Sequence, residues 1–149
     1  MNKTLYLAYG SNLNLEQMAH RCPTAKPVGG VLLKDYRLLF RGGHGGSVAT
    51  VEPFKGNVVP CLLWEIAPAD EAALDRYGGF PFLYRKETVK VKHGRKPVDA
   101  MVYIMNDERS LGSPSCYYYS VILDGYKSAG FDIAILKQAV RDSTEVCNG

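Results

Sequence analysis

A chain of 149 residues is long enough to bury roughly 68–70% of its unfolded surface around one core, and 46% hydrophobic against 22% charged residues is an ordinary globular balance that argues against disorder and for a single domain over residues 1–149. Eighteen Lys plus Arg against fifteen Asp plus Glu leave a formal charge of +3, scattered rather than gathered into a stripe, which excludes nucleic acid as an expected partner; no apolar run approaches the ~18 residues that cross a bilayer, which excludes a membrane span. Cys22, Cys61, Cys116 and Cys147 form no Cys-x-x-Cys pair, the N-terminus reads as no secretory leader, and His20, His44 and His93 are too far apart for a metal motif, so the expectation is a cytoplasmic, reduced protein with no metal and no organic cofactor.

The first element is the apolar, aromatic run Leu5 to Tyr9, a strand that breaks into Gly10-Ser11-Asn12. A helical pattern follows at once: Leu15, Met18, Ala19 and Cys22 keep the i, i+3, i+4, i+7 spacing of one face, with Asn14 and Gln17 placed as a capping box and Pro23 just past the end. Residues 24–30, rich in Pro and Gly, read as a loop into a strand from Val31 to Phe40. Gly42-Gly43-His44-Gly45-Gly46 reads as a hairpin turn, with His44 outside any catalytic set.

Strands follow at Ser47 to Glu52 and Val58 to Ile66, the second nearly continuous in apolar residues, as a strand covered on both faces should be. Pro68 opens a helix to about Tyr77, with Asp70 and Glu71 in its first turn and Gly78-Gly79 at its end. Leu83 to Lys92, a turn at His93-Gly94, and Val98 to Met105 form a hairpin, and the basic cluster from Arg85 to Lys96 is its solvated part. Ser115 caps a helix over residues 116–129 ended by Gly130, and Asp132 caps the last, with Ile133, Leu136 and Val140 facing inward. Strands grouped between helices, without strict alternation, point to an α+β domain.

A strand that runs through a glycine loop into a helix collects backbone donors that have no partner of their own and can cradle an anion or a polarised carbonyl. Tyr9-Gly10-Ser11-Asn12-Leu13 also resembles the signature of the gamma-glutamyl cyclotransferase-like superfamily. The likeness continues in the family's order through Gly46-Ser47-Val48-Ala49-Thr50-Val51, Leu74-Asp75-Arg76-Tyr77-Gly78-Gly79-Phe80-Pro81, Tyr84, Tyr103, and Pro114-Ser115 with Tyr118 and Gly125. The resemblance implies a small mixed β-barrel flanked by helices, a small-molecule gamma-glutamyl substrate, a pocket at Tyr9, Gly10, Ser11, Asn12 and Leu13 lined by Tyr84, Tyr103 and Tyr118, and release of 5-oxoproline. In that reaction the α-amine of the gamma-glutamyl group attacks its own γ-carbonyl, so proximity supplies much of the rate, and what remains is to take a proton from the amine and to stabilise an oxyanion.

The same resemblance exposes a departure. The family's base is the glutamate of a Leu-Asp-x-x-Glu-Gly stretch, and that position is Gly78. Gly79 already serves as the helix stop, so a second glycine adds backbone entropy without need. Three readings stand open: a family member that has lost its base, an engineered inactive form, or an enzyme that uses another acid. For the last, Glu87 is the candidate, because strand parity puts it with Leu83, Val89 and Val91, while Asp75 reads as a solvated or capping carboxylate and Tyr117 and Tyr119 as packing residues. The functional alternatives are accordingly a cyclotransferase with little activity and a binding protein that holds gamma-glutamyl or related ligands, with an amide hydrolase as a more distant rival.

Overall fold

The computed structural model describes residues 3–42, 46–106 and 109–144. Among these residues nine elements follow one another: β1 (Thr4–Ala8), α1 (Leu15–Arg21), β2 (Lys26–Arg41), β3 (Val48–Ile66), α2 (Pro68–Gly78), β4 (Tyr84–His93), β5 (Lys96–Met105), α3 (Cys116–Ala129) and α4 (Ile133–Thr144), with a 3₁₀ turn at Ser11–Leu13. The five strands make one mixed sheet in the order β2-β3-β1-β5-β4. Its one parallel pair is β1 with β5, through Tyr6 and Met101, and the other pairs are antiparallel.

This is the α+β architecture expected, with one refinement: the sheet curls without closing. Its two edges, β2 and β4, come together where His93 Nε2 lies 3.2 Å from the place a Cβ on Gly29 would occupy, yet no ladder joins them among the described residues. The interior strands carry the core, with Leu7, Ala8, Val51, Val59, Cys61, Leu63 and Val102 at most 2% exposed. No helix among the described residues is long and apolar enough to cross a membrane.

Two stretches read as loops are strand. Residues 26–30 pair with Leu62 to Glu65 of β3, because Gly29 and Gly30 leave room for His93 and Phe131 to lie against the chain; that is a demand of packing, invisible in a Pro- and Gly-rich segment. The gap expected between two strands at Pro53–Asn57 is also bridged, for β3 runs unbroken and meets β2 through a register shift beside Asp35. Asp35 holds the left-handed conformation (φ 63°) and its carboxylate accepts the Gly56 N–H at 3.0 Å, pinning the bend. The glycine turn around His44 lies partly outside the described residues.

Candidate functional site

The site is built on the break after β1. Ala8 is the last residue of the ladder with Leu62, and the chain turns once at Ser11–Leu13 before α1 begins, so the loop amides belong to a 3₁₀ turn rather than to the helix itself. Leu13 uses its N–H on the Gly10 carbonyl at 3.0 Å and is fully buried; it anchors the loop and does not line the cleft. The amides of Ser11 and Asn12 meet no carbonyl among the described residues.

Asn12 is held at both polar atoms of its side chain and at its carbonyl. Its Nδ2 donates to the Tyr6 hydroxyl at 2.9 Å, its carbonyl accepts the Trp64 indole N–H at 3.1 Å, and its Oδ1 accepts from Arg21. Asn14 caps α1 by accepting the Gln17 N–H at 3.0 Å and ties the loop to α3 through the Val121 carbonyl, also at 3.0 Å. Behind the loop stands Gly125: a Cβ there would lie 2.6 Å from the Leu13 Cβ and 2.8 Å from its carbonyl carbon. Only glycine lets α3 press this closely on the turn.

Over the loop opens a cleft of about 70 Å³, lined by Tyr6, Tyr9, Gly10, Ser11, Asn12, Ala49, Tyr77, Tyr84, Tyr103 and Tyr118. Of the residues singled out from the sequence, Tyr9, Gly10, Ser11, Asn12, Tyr84, Tyr103 and Tyr118 meet there. Three that sequence reasoning passed over, Tyr6, Ala49 and Tyr77, line it as well; Ala49 and Tyr77 stood inside stretches already marked by the resemblance and Tyr6 on the strand that leads into the first of them, and that position was the available signal.

Each phenol is held in place by the scaffold. The Tyr9 hydroxyl donates to the Tyr103 carbonyl at 2.7 Å, Tyr84 donates to the Ala49 carbonyl at 2.6 Å, and the Ala49 N–H donates to the Tyr118 hydroxyl at 3.1 Å. Ser115, the cap of α3, accepts the Tyr118 N–H at 3.1 Å and so starts the helix where Tyr118 faces the cleft. Tyr77 and Ser11 share a hydrogen bond of 3.0 Å at the mouth, and the Arg21 guanidinium lies 3.4 Å over the Tyr77 ring. Burial pushes the Tyr6, Tyr9, Tyr84 and Tyr103 hydroxyls well above the ordinary phenol range and Tyr118 up to about 12, against a partial lowering by the Ala49 N–H. All are neutral hydrogen-bonding groups near pH 7, and no carboxylate is in the lining.

The carboxylates lie elsewhere. Glu87 is paired with Arg85 at 2.5 Å, its side chain about 40% exposed, and it is not in the lining. The parity argument that singled it out fails because the face of β4 that is covered changes along the strand. Ten consecutive pairs with β5 carry no bulge, so Tyr84 and Lys86 share one face, which α2 and the cleft cover, while Val91 is buried on the other face further along. Asp75, read as a solvated or capping group, accepts the Tyr103 hydroxyl at 2.5 Å and pairs with Lys86 at 3.1 Å, and Lys86 also reaches Glu71 at 2.6 Å.

Gly78 is the last residue of α2, and Gly79, left-handed at φ 76°, caps it. A Cβ on Gly78 would meet only Tyr84 Cδ2, at an ordinary 3.8 Å. A side chain at this position would stand beside a residue of the lining, in uncrowded space.

Comparison with known proteins supplies the context. A family model described as gamma-glutamyl cyclotransferase, AIG2-like, matches residues 6–120. The gamma-glutamylcyclotransferase of Bos taurus is 29% identical, the alignment covering 90% of this chain and 76% of that protein; its Homo sapiens counterpart is 28% identical over 87% and 73%. A solved structure titled gamma-glutamyl cyclotransferase superposes with a TM-score of 0.81 at 28% identity, covering 93% of this chain and 86% of the other.

Proposed function

The chain belongs to the gamma-glutamyl cyclotransferase, AIG2-like family, and from that membership we propose that its cleft holds the α-amino-acid end of a gamma-glutamyl group and turns it into 5-oxoproline only slowly. The observation that carries this reading is the lining itself: loop amides and neutral phenols suited to a zwitterion, with glycine where a base would stand beside Tyr84. Donors aimed at a carboxylate and at a developing oxyanion need no further group to bind and polarise the ligand. Removing the proton from the α-ammonium does need one. A space of about 70 Å³ is far below the roughly 300 Å³ of a pocket that encloses a whole drug-sized ligand, so the amine that leaves lies at or beyond the Tyr77 mouth, and amino acids, amines and larger carriers all remain compatible leaving groups.

The same lining supports a second reading, a binding protein without turnover. Calorimetric titration with a gamma-glutamyl amino acid, alongside an assay for 5-oxoproline, separates the two. Binding with slow release supports the first reading; binding with no release, in the chain as it stands and in Gly78→Glu alike, supports the second, and absence of binding overturns both. A cytoplasmic setting belongs to the same proposal. Cys22 and Cys61 are buried free thiols, and burial raises Cys22 to about 11 and Cys61 further, which suits packing rather than disulfide exchange.

A further inference from the structure

Position 75 is one helical turn before position 78, so the two share a face of α2. Where 78 brings no carboxylate, Asp75 is the nearest acid along that face, and it is connected to the cleft: Tyr103, a residue of the lining, ends its hydroxyl on Asp75 Oδ1. Among the described residues no other carboxylate is hydrogen-bonded to a lining side chain. The Tyr103 ring is fixed edge-on between Tyr6 and Phe80, at centroid distances of 5.8 and 6.4 Å. Three groups face Asp75: Lys86 from β4, Tyr103 from β5, and Glu71, which shares Lys86, from α2 itself.

We propose that Tyr103, backed by Asp75, takes the proton from the α-ammonium of the bound gamma-glutamyl group, giving the site a proton path that does not use position 78. The inference rests on the reading of the cleft given above. The step balances as follows. One ammonium N–H proton moves to the Tyr103 oxygen while the Tyr103 hydroxyl proton moves to Asp75 Oδ1, so the ammonium becomes an amine, the carboxylate becomes a carboxylic acid, and the phenol is a phenol before and after. The freed nitrogen pair forms a bond to the γ-carbonyl carbon and the ring closes. Closure leaves the ring nitrogen with two protons and a positive charge and the former carbonyl oxygen with a negative one. As this tetrahedral intermediate collapses, the carbonyl re-forms, the bond to the leaving nitrogen breaks, and the proton stored on Asp75 returns through Tyr103 to that nitrogen. The ring nitrogen gives its second proton to solvent, leaving the lactam N–H of 5-oxoproline, a free amine and the Asp75 carboxylate. A phenol buried so that it resists ionisation passes a proton only by giving one up in the same event, and the 2.5 Å contact to Asp75 provides the acceptor. Tyr103 is thus the catalytic group and Asp75 a positioning residue that acts through it.

The test compares Tyr103→Phe and Asp75→Asn, each in the chain as it stands and in a Gly78→Glu background, with gamma-glutamyl-L-alanine as the probe, 5-oxoproline as the readout, and calorimetry for affinity. In the native background both substitutions should lower kcat tenfold or more, and Asp75→Asn, which leaves the Tyr103 oxygen in the lining, should do so with an affinity change of less than threefold. With Glu at position 78 the same substitutions should cost less than threefold, because the proton has another acceptor. Equal losses in both backgrounds would show that the pair only shapes the site and would overturn the proposal, as would binding with turnover that neither substitution changes. Failure of the probe to bind at all would instead remove the proposed function beneath it. Melting curves identify a variant that has lost its fold, and Tyr103→Phe, which deletes one oxygen, keeps the question answerable if Asp75→Asn leaves Lys86 and Glu71 unbalanced.

Discussion

The loop at Gly10–Asn14 and the end of α2 at Asp75–Gly79 face the same cleft, yet they tolerate change in opposite ways. The loop is over-determined: Asn12 is bonded through all of its polar side-chain atoms, Leu13 is sealed in the core, and Gly125 has no room for a methyl group. The end of α2 has an uncrowded position whose nearest neighbour is 3.8 Å away. On the function proposed above, recognition is therefore a property of many packed parts, whereas position 78, where a base would stand, is one that the packing barely notices. A change of function at the second place needs no change of structure at the first.

The largest expected effect lies at that open position. Gly78→Glu should raise 5-oxoproline release by 10²–10⁴-fold, the usual worth of a positioned base, with little loss of thermal stability, since Gly79 still caps the helix and Glu is the better helix former. A rate within threefold of the starting chain would mean that the open position is not the chemical one. The counterpart is Gly125→Ala. On an open helix this exchange would stabilise by up to about 1 kcal/mol; here the new carbon overlaps the Leu13 backbone, and denaturant unfolding should show a loss of about 2–3 kcal/mol. Unchanged or raised stability would show that the loop is less tightly determined than its contacts imply.

A third measurement addresses the phenols between the two regions. Folded Tyr118 keeps its proton up to about 12, whereas in the unfolded chain it ionises near 10. Its contribution to stability is whole below pH 10 and drains away between about 10 and 12, as the unfolded state alone loses protons. Tyr118→Phe should flatten the alkaline decline in unfolding free energy by about 1.4 kcal/mol per pH unit in that window; an identical slope would place the hydroxyl in water. The smallest effect is expected at Glu87→Gln. That carboxylate is half exposed and, among the described residues, paired with Arg85 alone, so turnover should be unaltered and stability should change by less than about 1 kcal/mol. A fall in turnover would restore Glu87 as the acid of the site.

What could be read in the sequence divides along physical lines. Local signals carried their elements: Asn14 and Ser115 cap where expected, Pro68 opens α2, and Gly79 and Gly130 end helices in the left-handed conformation. Tertiary demands overrode them elsewhere. Gly29 and Gly30 looked like loop and are strand because side chains from β4 and from the segment before α4 lie over them. Strand parity misdirected the search toward Glu87 because a curled sheet covers different faces at different points along β4. At the site, the tyrosines were legible as residues of a signature, while Asp75 was not, since its partner Tyr103 is 28 residues away and nothing in the local pattern ties them.

The bond between the Trp64 indole and the Asn12 carbonyl gives the molecule a built-in optical reporter. Trp64 is the one tryptophan in the chain and is only 3% exposed, so its emission arises from a single dry environment that touches the loop from behind. A ligand that draws on the Asn12 amide engages the peptide group next to the one to which the indole is bonded. Titration of gamma-glutamyl ligands can thus be followed as a shift in ultraviolet fluorescence without any label, and the wavelength of that shift distinguishes a loop that tightens around its guest from one that opens and admits water to the indole.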